Sequence, residues 1–114
     1  MNIEDFKNKL RTHPESIQFS ETINTIESNY NFTPTAFKNG RLQNKSDENL
    51  GSCKVLAFAK DQNFTKAETL ACFGQFYFND VLKDPSGDGH QNIRNFMNTG
   101  FEEVSFEETP LKQK

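Results

Sequence analysis

Apolar side chains return at helical spacing along several stretches of the chain, and most of these stretches carry their own start or stop signal. Ile3, Phe6 and Leu10 predict a first helix, with Asn2 as its cap, Glu4 and Asp5 near its positive end, Lys9 and Arg11 near its other end, and Pro14 closing it. Ile23, Ile26 and Tyr30 predict a second helix that Ser20 can cap and that fades over residues 29–31. Residues 51–60 hold Cys53, Val55, Leu56, Ala57, Phe58 and Ala59, a run apolar on most sides; it reads as a buried helix, with a strand as the competing reading. Thr65-Lys66-Ala67-Glu68 is a capping box, so a fourth helix starts there and carries Ala67, Leu70, Ala71, Gly74, Tyr77 and Val81 on one broad face. Asp88-Gly89-His90-Gln91 has the same form. With Asp88 as cap, His90 falls in the first turn of a fifth helix whose buried stripe is Ile93, Phe96 and Met97.

The remaining segments read as extended or looped. Pro34 disfavours helix before it, so residues 32–37 are extended, and Asn39-Gly40 supplies the two central positions of a tight hairpin. Residues 44–49 and 85–89 are polar loops, residues 101–106 a closing strand, and residues 110–114 a flexible tail behind a single domain of residues 1–109. The expected class is therefore α+β: one compact domain, mainly helical with four or five helices, and a small antiparallel sheet.

Composition changes this picture in one respect. The 114 residues include 12 Phe and no Trp, so Phe6, Phe19, Phe37, Phe58, Phe73, Phe76 and Phe96 are the expected core. Each contributes roughly 1.5–3 kcal/mol on burial, which offsets a modest aliphatic content. A net charge of −3, with Lys7, Lys9, Lys38, Arg41, Lys54 and Lys83 scattered rather than clustered, argues against nucleic acid as a partner. No stretch has the length of a membrane span, and Met1–Phe6 lacks a basic segment followed by an apolar one, so the default compartment is cytoplasmic.

Candidate chemistry gathers at the fifth helix. His90 and Arg94 are spaced to share one edge of it and Asn92 lies toward the other, which offers an imidazole, a cation and an amide to a partner. These three, with Tyr30, are the candidate binding residues for a protein partner or small ligand. A catalytic alternative places Cys53 at a helix start, where the dipole favours a thiolate, with His90 as base and Asn92 as orienter of a small hydrolase or transferase. Packing competes with each reading: Cys53 and Cys72 also suit a reduced core, and His90 can simply bond the preceding loop. Cys53, Cys72, His13 and His90 lack the close ligand pairs that metal sites favour, so no metal or other cofactor is expected.

Four blocks then agree with one family. Phe32–Gly40, Gly51–Lys54, Thr69–Gly74 and His90–Met97 resemble, in order and across nearly the whole chain, the signature blocks of the HopJ (HopPmaJ) type III effector family. The resemblance implies a bacterial protein that a type III secretion system can deliver into a host cell, where a host protein would be its partner. Similar sequences also occur in bacteria that are not plant pathogens, which implies a competing role inside the bacterium. The resemblance brings no catalytic residue with it.

Overall fold

The computed structural model describes residues 1–114, and its order of elements follows the hydrophobic pattern closely at first. Helix α1 spans Ile3–Thr12, begins on Asn2, whose Oδ1 accepts from the Asp5 N–H at 2.7 Å, and buries Phe6 and Leu10. Helix α2 spans Phe19–Asn29 but starts before the expected cap at Ser20. Gln18 is the extended residue at its start, and Glu21 Oε1 accepts from the Gln18 N–H at 3.0 Å. Helix α3, Leu50–Asp61, runs through the centre, with Cys53 and Val55 through Ala59 all buried; the competing strand reading does not hold. Around it Phe58 makes edge contacts with Phe6 and Tyr30, each 5.8 Å between centroids, and with Phe64 at 5.5 Å. Edge-on packing places each positive ring rim against a negative face, so these rings lock α1 and the strand that follows α2 onto α3.

The Thr65–Glu68 capping box forms as expected, yet helix α4 is short, Lys66–Ala71. Gly74 ends its run. Its φ is +60°, and a Cβ there would lie 2.6 Å from the Phe19 backbone nitrogen and 2.8 Å from the Ile17 carbonyl oxygen. Only glycine permits both that conformation and that approach. The chain then re-forms as a π-helical segment, Phe76–Val81, before the loop to helix α5, Gln91–Thr99. One continuous helical face from Ala67 to Val81 is therefore replaced by two pieces hinged at Gly74.

Strands β1 (Tyr30–Phe32), β2 (Phe37–Asn39), β3 (Leu42–Asn44), β4 (Val104–Phe106) and β5 (Leu111–Gln113) make two small antiparallel sheets, β1-β5 and β3-β2-β4. The hairpin forms one residue later than its sequence suggests: Asn39 pairs with Leu42, so Gly40 (φ +63°) and Arg41 turn the chain. Asn39 is withdrawn into the sheet because its side chain is buried against α5. The C-terminal residues correct the tail expectation, since β5 pairs with β1 through Tyr30↔Gln113 and Phe32↔Leu111. Leu111 is buried, and the Pro110 carbonyl accepts from the Thr33 N–H at 2.8 Å, so the last turn of chain closes an edge that would otherwise expose unpaired backbone groups. The class is α+β, a compact single domain, mainly helical with small antiparallel sheets. No helix is long and apolar enough to cross a membrane.

Candidate binding cleft

Two helices start on left-handed residues, and both starts open on the same hollow. Asn49 (φ 51°, ψ 46°) precedes α3 and His90 (φ 57°, ψ 51°) precedes α5; neither side chain caps the helix it introduces. Such a conformation costs an L-residue roughly 1–2 kcal/mol, least for Asn, so other contacts must hold both residues in place. Asn49 Nδ2 donates to Asn44 Oδ1 at 2.7 Å. The His90 ring stacks over Phe76 with 5.1 Å between centroids, and its Nε2 lies 3.1 Å from Asp80 Oδ2. His90 is thus the residue before α5 and not a member of its first turn, which corrects the expected Asp88 cap.

Between these starts lies a cleft of about 580 Å³. One wall is aromatic, with Phe73, Phe19 and Phe76 in sequence: Phe19 lies 6.4 Å from Phe73 and 4.8 Å from Phe76. Phe19 and Phe76 were expected in the core but are only half-buried, because they face this space. Gly51 lets the wall close on α3, since a Cβ there would stand 3.0 Å from Phe19 Cζ. The other wall is polar: Gln43, Glu48, Asn49, Ser52 and Gln91 surround the opening.

Behind that wall a set of asparagines joins α5 to the hairpin. Asn92 Oδ1 accepts from Asn39 Nδ2 at 3.0 Å and from Asn44 Nδ2 at 3.2 Å, while Asn92 Nδ2 donates to Asn44 Oδ1 at 3.1 Å. Asn39 Nδ2 also donates to the Asn92 carbonyl at 2.7 Å, and Asn95 Nδ2 donates to the Asn39 carbonyl at 3.2 Å. Asn44 Oδ1 accepts from Asn49 and Asn92 together, so a single amide ties the two left-handed helix starts to each other. Asn39 Oδ1 is buried without a partner. Asn92 accordingly lines the floor of the cleft with its amide largely committed inward.

The other residues singled out in the sequence lie elsewhere. Arg94 diverges from His90: its Nε donates to the Gly89 carbonyl at 2.5 Å and its Nη1 to the Asp84 carbonyl at 2.9 Å, so it braces the loop before α5. The spacing of four survives only in the backbone, where the Arg94 N–H donates to the His90 carbonyl at 3.1 Å. Tyr30 is buried beside α3, donating to Asp61 Oδ2 at 2.5 Å and accepting from Gln62 Nε2 at 2.7 Å. Burial, then the neighbouring Asp61, pushes its phenol pKa up. Cys53 is fully buried, and burial raises its thiol to about 11 despite the Thr35 backbone bond and the nearby Lys54 charge. Cys72 is fully buried as well, with its thiol pushed up by burial and by Glu68. No group of three His, Cys, Asp or Glu is placed to hold a metal ion.

Of the proposed set, then, only His90 and Asn92 meet at one site, and Phe19, Gln43, Asn49, Ser52 and Gln91 join them. Among the residues before apolar helical runs, His90 stands out as lacking a cap-type side chain, whereas Asn49 is a cap-type residue like Asn2 and gives no such sign. Chemically, the arrangement offers amide donors and acceptors, one hydroxyl and aromatic faces, a set suited to holding a ligand.

The match to the HopJ type III effector protein family model extends over residues 3–111. Among solved structures, a crystal structure described as that of the unknown function protein VPA0580 is similar at a TM-score of 0.97 and 50% sequence identity, covering 100% of this chain and 95% of the other. No curated protein matches the chain.

Proposed function

Because this chain belongs to the HopJ type III effector protein family, we propose that it is a non-catalytic binding module whose ligand occupies the cleft between the starts of α3 and α5. The observation that carries this reading is the pair of left-handed, uncapped residues, Asn49 and His90, facing one cavity. Local strain persists where surrounding structure enforces it, and such positions cluster at binding and catalytic sites. The cavity volume also falls within the range of about 300–1,000 Å³ that small ligands occupy. Delivery into a host cell, where the ligand or partner protein would be met, follows as part of the same proposal from the family. The alternative of a Cys53 nucleophile with His90 as base has less support. Cys53 is sealed in the core, a thiol at about 11 stays protonated near neutral pH, and Cys53 does not line the cleft.

The test is an amide chemical-shift screen of the whole chain against a small-molecule library, repeated on Ser52→Leu. Binders should move the amides of residues 49–52 and 91–93, and Ser52→Leu should lose the response while melting as the wild type does. Shifts confined to other surfaces, or an undiminished response in a folded Ser52→Leu, would overturn the cleft as the binding site.

A further inference from the structure

We infer that the ligand of this cleft is a neutral polyhydroxylated ring, a saccharide, bound with one face on the Phe19 and Phe76 rings and its hydroxyls on Gln43, Asn49, Ser52 and Gln91. This rests on the cleft being the binding site. Three features of the lining lead to the chemical class. It holds neither Lys nor Arg, and its single carboxylate is Glu48. An anionic group placed there would lose its water and meet neither Lys nor Arg, only the His90 ring, which is already paired with Asp80. The polar wall is dominated by primary amides, each presenting two N–H donors and an acceptor oxygen side by side. A hydroxyl is also donor and acceptor at once, so an array of amides satisfies an array of hydroxyls in a way that a purely accepting or purely donating ligand would not. Finally, Phe19 and Phe76 are tilted by 47° at 4.8 Å and both remain half-buried, so beyond the part of Phe76 that His90 covers, apolar ring surface is left beside the amides. The C–H face of a pyranose is the apolar complement to such rings, while its rim is entirely polar.

The uncapped N–H groups of the first turns of α3 and α5 add donors for a ligand oxygen of either class, so the neutral class rests on the side chains. Gly51, Ser52, Gln91 and Asn92 line the cleft from those turns, and their backbone donors want acceptors that hydroxyl or ring oxygens can supply. Asn92 and Asn44 hold this scaffold from behind through their mutual amide bonds, so the outer residues are displayed from a fixed frame.

The experiment is a titration of the full chain, followed by amide chemical shifts, with glucose, galactose and N-acetylglucosamine in one arm and with glucuronate and glucose 6-phosphate in the other. At least one neutral sugar should saturate the shifts of residues 49–52 and 91–93, with an affinity unchanged by added salt. Gln91→Ala, which removes an exposed side chain that donates to the Asp88 carbonyl, should weaken that sugar about tenfold, equal to one lost hydrogen bond of about 1.4 kcal/mol. Phe76→Leu should weaken it as well. Saturation of the same residues by glucuronate or glucose 6-phosphate alone would overturn the neutral class and leave the cleft standing as a site. No saturation by any sugar would overturn the saccharide assignment, and saturation mapping to another surface would overturn the assignment and the cleft together.

Discussion

At Asn2 and Thr65 the chain starts a helix as local chemistry dictates, whereas at Asn49 and His90 it starts one against it. Asn2 and Thr65 are extended, and each places a side-chain oxygen on an amide of the first turn, Asp5 at 2.7 Å and Glu68 at 3.1 Å. Asn49 and His90 are left-handed, and their helices begin with unclaimed donors. The first pair is held by residues within four positions in sequence. The second is held by long-range contacts: Asn49 through Asn44 to Asn92, and His90 through Phe76 and Asp80. Local agreement fails only where tertiary structure overrides it, and here both failures border one cavity, which is the pattern expected of a functional site.

Removing the α5 partner of the shared Asn44 amide should break this difference most severely. Asn92→Ala deletes the side-chain acceptor shared by Asn39 and Asn44 and leaves each with one buried bond fewer, Asn39 keeping the residue-92 carbonyl and Asn44 the Phe37 carbonyl, at a cost of about 2–3 kcal/mol. Urea denaturation should show that loss, and amide exchange should show the openings of α3 and α5 accelerated together. A loss below about 1 kcal/mol would mean that the two starts are held independently.

Local caps are expected to matter less. Thr65→Ala should cost about 1 kcal/mol, the usual value of a hydroxyl cap. His90→Gly should be close to neutral: it removes the ring's stacking on Phe76 and its bond to Asp80, but relieves the left-handed strain by about 1 kcal/mol. Equilibrium unfolding of the two variants side by side checks the ordering. A His90→Gly variant destabilised as strongly as Thr65→Ala would show that His90 is primarily a structural residue.

Much of the fold was legible because local rules and burial agree. The stripe of Phe6 and Leu10, the Thr65 box and the apolar run of α3 each specify an element without help from distant residues. Gly74 was misread because a lone glycine in an apolar face also fits a helix; its need for φ +60° arises only from the Ile17–Phe19 backbone lying against it. The tail was misread because Leu111 is an isolated apolar residue whose burial depends on pairing with Phe32, far back along the chain. At the site, His90 and Asn92 were visible by their chemistry and their place on the fifth helix, while Asn44 and Asn49 were not distinguishable from other asparagines. Their role lies in amide pairings between residues 48 apart, such as Asn44 and Asn92, and a single sequence carries no trace of them.

The smallest effect separates the two kinds of helix start by pH. Glu68 has its pKa lowered from 4.5, first by the Thr65 backbone N–H and then by the Arg11 side-chain bond, with burial opposing them. A carboxyl whose folded value lies below its unfolded one stabilises the fold above the unfolded value and loses that contribution as pH falls through the folded value. Glu68→Gln should therefore be less stable than the wild type at about pH 6, and the gap between their melting temperatures should close as the pH falls to about 3. No carboxylate completes a capping box at Asn49 or His90, so Gln91→Ala, measured over the same range, should track the wild type with a constant offset. A Glu68→Gln gap that stays constant with pH would place the stabilisation of α4 in its packing and remove the electrostatic distinction between the two kinds of start.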